Sequence, residues 1–309
     1  MRGHTDWVGG IAHLPDGRRI ITCSDDGSLR LWDLESGVQI GNDWRDDGKV
    51  GVRNISLSPN GKTVASGSRD GKVRLWGVGT KSVIARWTGH TGPVKSLCWS
   101  VDGGRVVSGS DDGTIRAWDV KSGDTVLGPI KTRHFRVSAV IYSPDTTMIA
   151  TGGGYEDVLK IWDAKTGNRL LSTIKDVSQV WSLAWTSDQK KLIAGSYPSI
   201  TIFDTATWQQ IATLQGHTAF VNTLSLFQND RLLASGSGDR TARLWNLDTN
   251  LPIGPPMQHE GPVHAAVISA DGKLLVTGCD DKNAYVWDIH TTLLSIPDVN
   301  TPTSVPSQH

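Results

Sequence analysis

Residues 89–119 read GHTGPVKSLCWSVDGGRVVSGSDDGTIRAWD, and this stretch holds the complete pattern of a unit that recurs along the chain. Its β-branched and apolar residues fall into three short runs, at 94–100, 105–110 and 114–118. An Asp-Gly pair, such as Asp112-Gly113, lies in the turn between runs, and glycine there tolerates the positive φ that tight hairpins need. The stretch therefore predicts three antiparallel strands that end at Trp118.

An aromatic residue near the end of each unit marks seven copies of this pattern. These residues are Trp32, Trp76, Trp118, Trp162, Phe203, Trp245 and Trp287, spaced 41 to 44 residues apart. A period of this length is typical of a β-propeller blade, and a Ser-Gly or Thr-Gly turn after several of the tryptophans predicts a fourth strand. We therefore predict an all-β fold, one seven-bladed β-propeller of four-stranded antiparallel blades over residues 1–297. A polar, proline-containing tail, expected to be disordered, follows at 298–309.

The Gly-His early in the unit and the Trp-Asp late in it resemble the WD-repeat family, across almost the whole chain. The regularity of the tandem units is similar to that of fungal WD-repeat proteins. The resemblance implies structural tetrads, in which a histidine, a hydroxyl residue, an aspartate and a tryptophan hydrogen-bond one another within a blade. Four units carry the full set: His4, Thr22, Asp26 and Trp32; His90, Ser108, Asp112 and Trp118; His217, Ser235, Asp239 and Trp245; and His259, Thr277, Asp281 and Trp287.

Serine, histidine and aspartate together also suggest a hydrolytic triad, so the two interpretations must be compared. A catalytic triad occurs once, beside an oxyanion site in a pocket. Here the set recurs at a fixed period, and threonine replaces serine freely. We therefore expect these residues to be structural, and we expect no enzymatic activity.

Composition argues against several classes of function. Lys plus Arg and Asp plus Glu number 31 each, so no overall charge attracts nucleic acid or an anionic membrane. No apolar run is long enough to span a membrane. The nine histidines and three cysteines have no metal-ligand spacing, and we expect neither metal nor cofactor. The cysteines suggest an intracellular protein, cytoplasmic or nuclear, which we expect to be monomeric.

Three units depart from the pattern. The second has Gly48 at the histidine position, and the fourth has Arg133 there, with His134 one residue late. The fifth has Asp176 for the histidine and Phe203 for the tryptophan. Sequence drift and a ligand-binding role for the relaxed turns of units four and five both remain open.

Closure of the ring is a separate question. Because Gly3-His4 opens the first unit at once, the fourth strand of the seventh blade is expected at residues 293–296. Packing between blades one and seven would then close the ring. The alternative is a chain cut from a longer protein, or one that has lost an upstream strand.

WD-repeat relatives present ligands to the narrow face, where the loops before the innermost strands meet the second-to-third-strand turns. Mapped by spacing, the candidate binding residues are Trp7, Asp25, Lys49, Arg69, Arg136, Tyr155, Tyr197 and Phe220. Exposed aromatic residues such as Trp7 and Phe220 are common interface anchors, although both could instead cover loops. Basic residues on blades two to four (Lys49, Arg69, Arg133 and Arg136) could bind an acidic or phosphorylated peptide, or belong to an ordinary mixed surface.

The function that these features predict is that of a non-catalytic scaffold or recognition module, which binds partner proteins or peptides on the narrow (top) face. Two alternatives stay open. One is a propeller that binds small ligands or glycans on its aromatic residues. The other is a detached sensor domain of a larger signalling protein, as the resemblance to fungal WD-repeat proteins suggests.

Overall fold

A computed structural model describes residues 1–154, 158–171, 178–227 and 230–294. Within these ranges the chain forms seven antiparallel sheets, which confirms the predicted seven-bladed propeller. Each sheet is built from strands that are consecutive in sequence, from the channel outward. The predicted tail at 298–309 lies outside the described residues.

The strands of the first four blades are β1 (Val8–His13), β2 (Arg19–Ser24), β3 (Ser28–Asp33) and β4 (Trp44–Arg45); β5 (Val52–Leu57), β6 (Thr63–Ser68), β7 (Val73–Gly77) and β8 (Ser82–Trp87); β9 (Val94–Trp99), β10 (Arg105–Ser110), β11 (Thr114–Asp119) and β12 (Thr125–Lys131); β13 (Val137–Tyr142), β14 (Met148–Gly153), β15 (Leu159–Asp163) and β16 (Arg169–Leu171). Those of the last three are β17 (Ser182–Trp185), β18 (Lys191–Gly195), β19 (Ile200–Asp204) and β20 (Gln210–Leu214); β21 (Val221–Phe227), β22 (Leu232–Ser237), β23 (Thr241–Asn246) and β24 (Leu251–Gln258); β25 (Val263–Ile268), β26 (Leu274–Cys279) and β27 (Ala284–Asp288).

In blades one to three, glycine suits the turn between the second and third strands for two reasons. Gly113, between β10 and β11, has a φ of 76°, in the left-handed region that favours glycine. A Cβ at this position would also lie 2.8 Å from the carbonyl oxygen of His134 in the next blade. The Asp-Gly turn thus sets the hairpin and allows neighbouring blades to approach closely. In blades six and seven, Arg240 and Lys282 adopt the same positive φ at this place.

Buried side chains fill every interface between adjacent blades. Each interface has its own apolar cluster, such as the one where Trp76 of blade two packs against Leu29 and Leu31 of blade one. Among the described residues, the cluster between blades seven and one has six buried members, whereas the other six clusters have eight to eleven. Side-chain packing therefore contributes to closure of the ring, with the smallest cluster at the junction between blades seven and one.

The prediction of a strand at 293–296 is wrong where it can be compared with the structure. A short helix, α1 (His290–Leu294), follows β27, and residues 295–296 lie outside the described part. Among the described residues the seventh sheet has three strands. At its outer edge, the amino group of Met1 donates to the Ala284 carbonyl (2.7 Å), and the Ala284 amide donates back to Met1 (3.2 Å).

The residue four positions after the end of the third strand explains this difference. In the other six blades this residue has a positive φ, which reverses the chain into the fourth strand: Gly37, Lys81, Gly123, Gly167, Trp208 and Asn250. In blade seven it is Thr292, whose branched Cβ disfavours the left-handed region. The Asp288 carboxylate accepts a hydrogen bond from the His290 amide (2.9 Å), and the chain continues as a helical turn.

Candidate functional site

Three of the four predicted tetrads form the same chain of hydrogen bonds, in blades one, three and six. In each, the tryptophan Nε1 donates over 2.8 Å to the Ser or Thr hydroxyl. That oxygen lies 2.7–2.8 Å from the histidine Nε2, and the histidine Nδ1 lies 2.7–3.0 Å from an aspartate oxygen. The amide after the histidine also donates to the aspartate, over 2.9–3.0 Å. Each chain thus ties the entry loop to the turn and to the third strand.

The electrostatics favour an ionised aspartate in blade one and a neutral histidine in blade three. Burial would raise the pKa of Asp26, but hydrogen bonds from His4, Ser28 and Thr5 lower it well below its usual range. Burial lowers the pKa of His90. The hydroxyl residues Thr22, Ser108 and Ser235 are 0 % exposed, so a substrate cannot reach their oxygens. This geometry suits a structural bond and does not suit a nucleophile.

The tetrad predicted for blade seven is incomplete. His259 still contacts Thr277 (2.7 Å), and Trp287 donates to the same hydroxyl (3.0 Å). However, the Asp281 carboxylate accepts from the Tyr285 hydroxyl, and the His259 Nδ1 lies 3.1 Å from the Met257 carbonyl. Tyr285 stands where Arg30 and Arg116 stand in blades one and three, and its hydroxyl reaches the aspartate in place of the histidine.

Blade two replaces the missing histidine with an arginine. Arg74 donates to both oxygens of Asp70 (3.0 and 2.7 Å) and to Asp46 (2.5 Å). The Arg86 guanidinium also donates to the Asp46 carboxylate. Together Arg86 and Arg74 lower the pKa of Asp46 well below its usual range. Trp76 keeps its bond to Ser66 (2.8 Å). In blade two, the bidentate ion pair between Arg74 and Asp70 thus takes the place of the contact between histidine and aspartate.

Blade four keeps more of the pattern than its sequence suggests. His134, one residue later than expected, has its Nε2 3.1 Å from the Thr151 hydroxyl, and Trp162 donates to the same oxygen (2.9 Å). In blade five, Phe203 occupies the tryptophan position and is fully buried. Asp176 lies outside the described residues.

The candidate binding residues fall into distinct environments. Trp7 is half-buried, with the Arg53 guanidinium 4.8 Å from its ring and the His264 ring 4.6 Å away. Arg69 donates through both nitrogens of its fork to Asp25, so these two predicted binding residues largely neutralise each other. Lys49 is exposed and does not line the channel.

The remaining candidates lie on blades four to six. Arg136 is exposed, borders the channel and lies 5.2 Å from the Phe135 ring. The Phe220 ring lies 5.0 Å from the ring of Tyr197 and 5.0 Å from that of Trp181. Phe220 is 37 % exposed and Tyr197 is 49 % exposed. Tyr155 lies outside the described residues.

A ring of residues at the top of the central channel was missed by the sequence reasoning. It consists of the fifth residue after each histidine position, one per blade: Gly9, Arg53, Lys95, Ser138, Trp181, Asn222 and His264. We call this set the mouth ring. Its members border one cavity of about 530 Å³, which is lined by the innermost strand of every blade. The constant offset from the histidine could have revealed them, because every second residue of an innermost strand faces the channel.

An apolar ring lies directly below the mouth ring, two residues further along each strand. Its members are Ile11, Ile55, Leu97, Val140, Leu183, Leu224 and Ala266. Polar groups at the mouth therefore lie above an apolar floor, where charge interactions are stronger than in bulk water. Among the described residues, no group of three or more His, Cys, Asp or Glu could hold a metal ion. No helix in the described ranges has the length and apolarity to cross a membrane.

Fold and tetrads together define a β-propeller built from hydrogen-bonded, Trp-centred repeats. A family model described as "WD domain, G-beta repeat" matches residues 1–33, 45–77, 81–119, 128–163, 208–246 and 254–288. These segments make up well over half of the chain, so the chain belongs to the WD-repeat family. The unmatched region between 163 and 208 contains the first three strands of the fifth blade, which departs furthest from the pattern.

Several curated proteins are similar to part of this chain. "Protein FIZZY-RELATED 2" of Arabidopsis thaliana is 33% identical over 115 residues, which cover 36% of this chain and 24% of that protein. "Anaphase-promoting complex subunit cdh1" of Dictyostelium discoideum is 30% identical over 121 residues, covering 38% and 16%. "APC/C activator protein CDH1" of Saccharomyces cerevisiae is 30% identical over 115 residues, covering 36% and 20%. The chain thus aligns with about a quarter or less of the length of each relative.

Proposed function

We propose that this protein is a non-catalytic interaction module, a scaffold or recognition domain that binds partner proteins or peptides on the narrow top face of the propeller. The observation that carries the proposal is the top face itself. Charged and aromatic side chains from several blades surround one cavity there, on a rigid ring of sheets. Surfaces of this kind, with aromatic and arginine side chains at their centre, suit protein recognition.

The relatives support the same class of function. The names of two of them describe a subunit of the anaphase-promoting complex and an APC/C activator, so those two proteins act together with a protein complex. The part of this chain that is similar to them is short, so the identity of any partner is not carried over. Burial of the tetrad hydroxyls supports the non-catalytic part of the proposal.

The proposal includes a monomeric, intracellular protein, cytoplasmic or nuclear, with no nucleic acid as ligand. Its three cysteines are free thiols, as expected in a reducing compartment. Burial raises the pKa of the Cys279 thiol to about 11, which makes it a weak nucleophile. Equal numbers of acidic and basic residues give no general attraction to nucleic acid.

Affinity capture from a native lysate tests the proposal. We compare the wild type with a Trp7→Ala, Phe220→Ala double variant and with Val101→Ala, a change at an exposed residue on the opposite face. Proteins that bind the wild type and the Val101 variant but not the double variant would support binding on the top face, provided that the melting temperature of the double variant is unchanged. Equal capture by all three forms would contradict it.

A second candidate function is supported by the exposed aromatic residues Tyr197 and Phe220, which could stack on sugar rings. A glycan array separates the two functions. A specific glycan signal that disappears with Phe220→Ala would favour a glycan-binding propeller over a protein-binding one.

A further inference from the structure

The cations at the channel mouth are incompletely neutralised. The Nε of Arg53 is buried and has no hydrogen-bond partner, and its nearest carboxylate, Asp25, lies 3.7 Å away and already binds Arg69. Lys95 lies 3.7 Å from Asp111, beyond hydrogen-bond distance. No described carboxylate lies within 4.0 Å of a nitrogen of Arg136. We call Arg53, Lys95 and Arg136 the cationic arc.

The acidic groups at the mouth do not cancel this arc. Asp280 contacts His264 (3.2 Å), on the opposite side of the channel. Asp111 is closest to the arc, and one of its oxygens is buried without a partner. Burial is the main cause that lowers the pKa of Lys95; the charge of Asp111 opposes it, and the charges of Arg53 and Arg136 lower it by smaller amounts. The three cations lie beside two carboxylates, Asp25 and Asp111, of which Asp25 already binds Arg69, so a bound anion would offset the remaining positive charge.

Aromatic side chains border the arc on the next blades. Trp181, Phe220 and Tyr197 contact one another in series, with 5.0 Å between successive ring centroids. The indole nitrogen of Trp181 is a buried donor without a partner, at the edge of the cavity. We call these three residues the aromatic arc. The two arcs meet at the channel, which both Arg136 and Trp181 line.

We propose that the channel mouth is an anion-binding subsite, which accepts a carboxylate side chain of an acidic segment in a partner protein. A neighbouring apolar or aromatic side chain of the same segment packs on the aromatic arc. Charge complementarity selects this partner, because a carboxylate accepts bidentate bonds from arginine above an apolar floor. The inference rests on the proposed function, since it names the chemistry of a partner for the same face. The cationic arc differs from the basic residues that the sequence suggested for peptide binding. Arg69 is excluded because Asp25 neutralises it, and Lys49 is excluded because it does not line the channel.

Fluorescence anisotropy with defined peptides tests the inference on the full chain. The probe is a short fluorescein-labelled peptide with glutamates beside a phenylalanine. One comparison peptide has glutamines in place of the glutamates, and another has phosphoserine in their place. The variants are Arg53→Gln, Lys95→Gln and Arg136→Gln, with Lys121→Gln in a turn of the opposite face as the matched control. Melting temperatures identify any variant that is unfolded, and the exposed Arg136 provides a substitution outside the packed part of the mouth.

We expect the glutamate peptide to bind and the glutamine peptide to bind at least tenfold more weakly. Each cation removed should weaken binding about tenfold, while Lys121→Gln leaves it unchanged. Binding should also weaken as salt is raised. Equal binding of glutamate and glutamine peptides, or unchanged binding by all three arc variants, would overturn the inference. Binding of the phosphoserine peptide alone would overturn the assignment to a carboxylate. In each of these cases, capture of proteins that depends on Phe220 would still support the proposed function, so the two failures are distinguishable.

Discussion

At the scale of single residues, the tetrad histidine links its entry loop to two other segments of the blade. One ring nitrogen contacts the hydroxyl residue of the second strand, and the other contacts the aspartate of the following turn. His217 lies 2.7 Å from both Asp239 and Ser235, and its ring is almost fully buried. Because the hydroxyl of Ser235 also accepts from Trp245, removal of the ring leaves a buried oxygen and a carboxylate with one partner fewer.

His217→Ala should therefore lower the free energy of unfolding by roughly 1–3 kcal/mol, the usual cost of leaving buried polar groups unsatisfied. Denaturant melts measure it, with His290→Ala, at an exposed residue, as the control. An unchanged midpoint for His217→Ala would count against a structural role for the tetrads.

Arg74 offers a second test at this scale, because its side chain is 4 % exposed and bridges Asp70 and Asp46. Removing one partner of a buried ion pair leaves uncompensated charge, so Arg74→Ala should destabilise the fold by about 3 kcal/mol. Arg231→Ala breaks an exposed pair with Asp248 and should cost less than about 1 kcal/mol. Similar losses for the two variants in thermal melts would contradict the proposed replacement of the histidine.

At the scale of elements, the fourth strand depends on one residue with a positive φ. Lys81 has a φ of 56° between β7 and β8, whereas Thr292 follows β27 into a helix. A non-glycine residue in this region costs roughly 1–2 kcal/mol, so the turn chemistry decides whether a blade gains its outer strand.

Lys81→Gly should stabilise the protein by up to about 1 kcal/mol, because glycine adopts the positive φ without strain. The same change at Lys121, whose φ is not positive, should destabilise it slightly. Urea unfolding curves of the two variants measure the difference. A loss of stability on Lys81→Gly would show that the turn is not strained.

The strands and turns could be predicted from the sequence because Asp-Gly pairs and the repeated tryptophan fix local geometry. Three features of the structure could not be predicted in this way. The strand predicted at 293–296 failed because Leu293, Leu294 and Ile296 suggested a strand, while the residue that controls the turn is Thr292. The mouth ring was missed because its members share a position and not a residue type. Arg74 was missed because a bidentate pair with Asp70 depends on where two side chains meet.

At the scale of the whole molecule, buried histidines link stability to pH. Burial lowers the pKa of His13, His90, His259 and His264. The folded state therefore binds fewer protons than the unfolded state between these lowered values and the ordinary pKa of about 6.5. The stability that the neutral rings contribute is present above about pH 6.5 and is lost as the pH falls.

The free energy of unfolding should thus decrease between pH 7 and pH 5, by up to about 1.4 kcal/mol per pH unit for each histidine that titrates only when unfolded. The carboxylates with lowered pKa values contribute below about pH 4, outside this window. Chemical denaturation at several pH values measures the slope. Equal or greater stability at pH 5 would contradict the account.

The ring as a whole should open first at one junction. Among the described residues, the cluster between blades seven and one has six buried members, the fewest of the seven clusters, and blade seven has three strands. Native-state hydrogen exchange should therefore show β27 and β1 losing protection before β11 and β15. Uniform protection of all blades would indicate that the interface between blades seven and one is as stable as the other interfaces.

Site-specific photocrosslinking in native lysate shows directly whether the top face binds partner proteins. A photoreactive amino acid is placed at Phe220 on the top face, or at Val101, which is 63 % exposed on the opposite face. We expect discrete crosslinked proteins from the Phe220 position and none of these proteins from the Val101 position. Crosslinks from Val101 alone, or the same products from both positions, would contradict this expectation.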